Sequence, residues 1–111
     1  MVSLTMFAKV LGSVALIVTV PQTALAADWQ YCLAPSHTEH KVYMSPPFPS
    51  SVAWGSPDSA LDRVLNQSGI VHDDVQCPRT DDERSIVIMR QEAISYSRIA
   101  GNQVVNLDWK P

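Results

Sequence analysis

Two imidazoles and a carboxylate fall within four consecutive residues, His37-Thr38-Glu39-His40, and His72-Asp73-Asp74 offers further ligands downstream. Zinc asks for three or four such groups in a tetrahedral array. The zinc-protease pattern puts glutamate directly after the first histidine and the second histidine four positions on, along a helix. Here the histidines stand three apart, the glutamate precedes the second, and the stretch is turn-forming. It therefore reads as a solvated hairpin loop, and no metal or other cofactor is expected. A small metal-dependent hydrolase built on His37 and His40 is kept as an alternative. It requires both rings and a carboxylate to converge in one pocket.

Other reactive types have simpler explanations. Asp81-Asp82-Glu83 sits where a helix begins, and carboxylates there complement the helix dipole. Asp73 and Asp74 suit a turn. Neither a Gly-x-Ser-x-Gly elbow nor a glycine-rich phosphate loop occurs. Cys32 with His37 or His40 would make a thiol–imidazole dyad only if the fold brought them together and the thiol were free. Asn66-Gln67-Ser68 fits the N-glycosylation pattern but falls late in an expected helix. No catalytic residue is assigned, and the chain reads as a non-enzyme.

The cysteines point to a cross-link instead. Cys32 and Cys77 are the only two in the chain, so one intramolecular pairing exists. Their wide spacing lacks the short Cys-x-x-Cys step of redox and zinc sites. A bridge would close a loop of about 45 residues, which the chain-entropy account values at about 4 kcal/mol.

The surface chemistry that stands out is aromatic. Ser45-Pro46-Pro47-Phe48-Pro49 and the residues up to Gly55 cannot form a helix or a central strand, because three of four positions are proline. An extended loop is expected, carrying Phe48 and Trp54, with Tyr43 on the adjoining strand. Aromatics on a stiff loop are good binding anchors, so Tyr43, Phe48 and Trp54 are the candidate binding residues. The competing expectation is that Phe48 and Trp54 fold back to cap a small core. Pro46–Pro49 also fits a P-x-x-P ligand, weakly.

These residues must be held by a few elements. Trp29–Ala34 and Lys41–Ser45 read as a strand pair joined by the histidine loop. Ser56, Pro57 and Asp58 start a helix as cap, first residue and dipole partner, and Gly69 ends it. Its stripe is Leu61, Val64 and Leu65. A short Ile70–Cys77 segment follows, extended over Asp74–Cys77. A second helix opens on a capping box with Thr80 as cap and Glu83 three on. Ile86, Met89, Ala93, Tyr96 and Ala100 recur at helical spacing and should face the sheet, with Arg90 and Ser97 outward. Gly101 ends it. Gln103–Trp109 alternates as a final strand, with Val105, Leu107 and Trp109 on one face. The expected fold is α+β: a small two-layer domain, three or four strands with both helices on one face, and one disulfide. Because a bridge needs close α-carbons, Cys32 should point inward.

The order of Lys9, the apolar run Val10–Val20, Pro21 and the small residues Ala24 and Ala26 matches a secretory signal peptide over residues 1–26. Residues 27–111 would then be a single small domain. No cysteine sits directly after the cleavage point, so no lipid anchor is expected, nor a membrane association after cleavage. The full chain has 111 residues, 46% hydrophobic and 17% charged, with a formal net charge of −3. That excludes a disordered chain and a phosphate-backbone binder. An exported protein, periplasmic or extracellular, follows. Its expected role is binding another protein or a cell-envelope component through the proline loop and the open sheet face. An enzyme inhibitor that inserts the proline loop into a cleft is the nearer alternative.

Overall fold

The structure, a computed structural model, describes residues 28–52 and 55–111. The signal-peptide reading of residues 1–26 and the site reading of Trp54 lie outside them. In chain order the elements are β1 (Trp29–Gln30), β2 (Leu33–Ser36), β3 (Lys41–Met44), β4 (Phe48–Pro49), a 3-10 turn (Ser50–Val52), α1 (Pro57–Gln67), β5 (Arg79–Thr80), α2 (Glu83–Ile99) and β6 (Gln103–Asn106).

The histidine loop reverses the chain as expected, and β2 and β3 pair antiparallel with Leu33 opposite Met44 and Ser36 opposite Lys41. His40 takes the left-handed backbone conformation that closes the turn, with φ 54°. Pro35 has no N–H to give a ladder, which suits β2 to the sheet edge. β6 lies on the far side of β3 and runs parallel to it, Val42 beside Val104 and Met44 beside Asn106. Parallel neighbours need a long crossover, and α2 lies within it.

The expected strand over Trp29–Ala34 is interrupted at Tyr31–Cys32, and the proline segment explains the break. Pro46 and Pro47 cannot donate, so pairing with β3 stops at Ser45, whose hydroxyl accepts from the Cys32 N–H at 2.9 Å. The pairing resumes when Phe48 and Pro49 meet Gln30 and Trp29. The proline segment is thus not wholly loop; its end is an edge strand, a place where proline is tolerated. β1 also pairs with β5, giving a second small sheet in the order β4-β1-β5. Between the two sheets, Leu33 and Gln76 exchange backbone hydrogen bonds of 2.8 and 3.0 Å. That bridge falls inside the Asp74–Cys77 stretch read as extended.

Both helices form where the sequence places them. Pro57 is the first residue of α1, and Ser56 precedes it in extended conformation. The Ser56 hydroxyl bonds the Asp58 carboxylate rather than a helix N–H. Gly69 follows with φ 72°. The Ile70 N–H then bonds the Leu65 carbonyl and the Gly69 N–H the Asn66 carbonyl, the paired closure of a Schellman end. Gly101 ends α2 in the same way, with φ 91°. The cap of α2 is a correction. Asp82, not Thr80, accepts the Ser85 N–H, at 2.7 Å. Thr80 is occupied in β5.

The inward face of α2 is a second correction. Ile86, Ile94 and Ser97 are buried, and Arg90 and Ala93 are half-buried. Met89, Tyr96 and Ala100 are exposed instead. Arg90 fixes the phase: its Nε donates to the Ser45 carbonyl at 2.8 Å and its Nη2 to Asn106 at 2.7 Å. Ser97 is small enough to let the helix approach the sheet.

The α+β class, the two helices and the single disulfide stand as read, while the helix arrangement differs. Ala34, Tyr43 and Val105 pack with Leu61 and Leu65 of α1. Leu33, Val42, Met44 and Val104 pack with Ala93 and Ile94 of α2. Neighbouring strand residues point to opposite faces, so α1 and α2 cover opposite faces of the β2-β3-β6 sheet. Cys32 accordingly points inward on the α1 side, beside Cys77, while Leu33 points to α2. Leu107 and Trp109 join Val105 on the α1 side, as their alternation indicates.

Candidate functional site

Two of the three candidate binding aromatics are core residues. Phe48 is 1% exposed and packs with Leu61, Leu65 and Ala34. Its strand pairing with Gln30 turns the ring inward, and a core built from two leucines, an alanine and a disulfide has room for it. Tyr43 is 6% exposed, on the same side. Its hydroxyl donates to Glu39 at 3.2 Å. Burial first, and the Glu39 carboxylate second, push its pKa above the ordinary tyrosine value. A ring already packed on both faces offers no area to a partner. The proline segment and β3 therefore present neither Phe48 nor Tyr43, and among the described residues both faces of the β2-β3-β6 sheet are packed against helices.

The histidines diverge. His37 pairs with the Asp73 carboxylate, which also accepts the His37 backbone N–H at 3.0 Å. The His37 ring holds Asp73 below the usual carboxylate range. His40 is exposed, and its carbonyl accepts from Gln103 at 2.8 Å, extending the β3–β6 ladder. Among the described residues no group of three or more histidine, cysteine, aspartate or glutamate side chains is arranged to hold a metal ion. The His37–Asp73 pair is open to solvent and has no hydroxyl or thiol hydrogen-bonded to it among the described residues. Both thiols are taken by the Cys32–Cys77 disulfide, with α-carbons 4.0 Å apart.

The carboxylates at the α2 start act locally. The Ser85 N–H lowers the pKa of Asp82, as expected of a cap. Asn66 is exposed near the end of α1 and donates to Asp62 at 3.2 Å. Asp58, Asp62 and Asp74 line a shallow polar cleft between α1 and the segment after it.

The feature that sequence reasoning missed is the outer face of α2. Ile88 is 49% exposed, Tyr96 74% and Ile99 85%. With Gln91, Glu92 and Ser95 they line one shallow hollow. Positions 88, 92, 95, 96 and 99 follow helical spacing, opposite the buried stripe of Ile86, Arg90, Ala93, Ile94 and Ser97. The signal was present in the sequence: α2 carries more large apolar residues than one stripe can hold. No helix among the described residues is long and apolar enough to cross a membrane. No protein-family model, no curated protein and no solved structure matches this chain.

Proposed function

We propose that this chain is a small exported binding module whose contact surface is the outer face of α2. The observation that carries the reading is the exposure of Tyr96 and Ile99 together on a helix whose opposite face is already packed. Leaving such groups in water forgoes about 1.5–3 kcal/mol each relative to burial. Clustered exposed apolar groups ringed by polar ones are characteristic of contact surfaces. The polar rim here is Gln91, Glu92 and Ser95. The partner fitting this face is a protein or cell-envelope component with its own apolar strip, and not a nucleic acid, since Glu92 sits within the face. The disulfide supports a periplasmic or extracellular setting. In such a setting residues 1–26 are removed and the chain starts at Ala27, which N-terminal sequencing of exported material checks.

The binding test uses a photo-crosslinking residue at Tyr96 in the exporting cell, with the same residue at Arg63, an exposed position on α1, as control. One dominant adduct at Tyr96 and none at Arg63 is expected. No adduct, or the same adducts from both positions, defeats the reading.

A further inference from the structure

His72 is the one histidine whose ring is enclosed: its side chain is 3% exposed. Both ring nitrogens face acceptors. Nδ1 lies 2.9 Å from the Ile70 carbonyl, and Nε2 lies 2.7 Å from the Asp62 carboxylate of α1. A carbonyl and an ionised carboxylate only accept. A neutral imidazole carries one N–H, so either tautomer sets a ring lone pair against an oxygen lone pair. The imidazolium satisfies both contacts. The charged groups acting on the ring are Asp62 from α1 and Asp73 from its own segment, and Asp73 is itself held by His37.

The position of this ring gives its charge a mechanical effect. α1 ends at Gln67, and the turn through Gly69 and Ile70 must lead back over the α1 core, where Ile70 packs. From Asp73 onward the segment is secured elsewhere. The Asp73 N–H donates to Pro35 at 2.7 Å, Gln76 pairs with Leu33, and Cys77 is cross-linked to Cys32. Upstream of Asp73, the His72 side chain ties the turn back to the body of α1.

We propose that His72 is a pH-dependent clasp: as the imidazolium it locks the Gly69–His72 turn onto α1, and as the neutral ring it releases that turn while Asp73–Cys77 stay in place. Burial disfavours the charged ring, but the Ile70 carbonyl and the Asp62 and Asp73 carboxylates outweigh it, so the folded pKa lies above the ordinary 6.5. The hold is therefore complete below about 6.5 and is lost as pH rises through the higher folded value. Each whole pH step by which the folded value exceeds 6.5 corresponds to about a tenfold change in the ratio of held to released turn.

The test combines a His72 ring titration by NMR with amide exchange at Ile70, in protein purified as the cell makes it, with the disulfide intact. After correction for intrinsic rates, Ile70 protection should fall relative to Val42 as pH rises through the His72 titration. Asp62→Asn, an exposed change on the helix, should lower the His72 pKa and move the loss of protection to lower pH. A wild-type His72 pKa at or below 6.5 overturns the proposal. So does Ile70 protection that tracks Val42 throughout, or an Asp62→Asn titration identical to wild type.

Discussion

Phe48 decides between two roles that the same residue types permit. Proline spacing stiffens the segment around it, which suits a binding anchor. The pairing of Phe48 with Gln30 instead turns the ring onto Leu61 and Leu65. Phe48→Ala should cost about 3–5 kcal/mol in chemical denaturation. A loss below about 1 kcal/mol would show the ring to be dispensable to the core. His40 makes the opposite case, because its value to the fold is its backbone. At φ 54° an L-residue pays a steric penalty that glycine avoids. His40→Gly should leave stability unchanged or raise it by up to about 1 kcal/mol; a loss larger than that would assign the imidazole a structural bond. The disulfide was legible at this scale because two cysteines leave one pairing. The Asp82 cap was not, because Thr80 and Asp82 are both good caps and only the two-residue β5 strand takes Thr80 away.

At the scale of elements, stops were easier to read than faces. Gly69 and Gly101 end their helices because positive φ is needed there, a requirement that a sequence displays. The phase of α2 needs information from outside the helix. Ile86, Ala93 and Ile94 make one apolar stripe, Ile88, Tyr96 and Ile99 another, and periodicity alone does not rank them. Arg90 ranks them, through bonds to Ser45 and Asn106 that lie far off in sequence. Ile86→Ala should cost about 2–5 kcal/mol, as a buried residue. Met89→Ala, at 36% exposure, should cost much less, and equal losses would contradict this phase. Tyr96→Ser with Ile99→Ser should stay within about 0.5 kcal/mol of wild type by thermal unfolding, the usual range for surface changes. A larger loss would make the outer stripe structural and remove the basis for a contact surface. Two-residue strands such as β4 and β5 are invisible to periodicity, because a two-residue run contains no full alternation, whereas β1 was legible only as the start of the longer Trp29–Ala34 run.

For the whole molecule, the layer order follows from one long-range choice. β6 runs parallel to β3, and the crossover that leads to it carries both helices, α1 packing on one face of the β2-β3-β6 sheet and α2 on the other. The α1 side holds the disulfide, and the bridge joins the start of β2 to the segment entering β5. The bridge thus adds a covalent tie between stretches 45 residues apart, beside the main-chain links at Tyr31–Cys32 and Ser45–Pro47 that already join the two sheets. A domain of this length has an unfolding free energy of roughly 4–13 kcal/mol. Removing a native disulfide from a small exported domain takes away about 2–5 kcal/mol. The domain should therefore remain folded when oxidised and become marginal near 37 °C when reduced. The Cys32→Ala/Cys77→Ala double variant should reproduce the reduced protein, since the loss arises in the unfolded chain rather than in a thiol. Denaturant unfolding of oxidised, reduced and double-variant protein measures all three. If reduction shifts the unfolding free energy by less than about 1 kcal/mol, the Leu33–Gln76 pairing and the Phe48 core hold the two sheets together without the bridge.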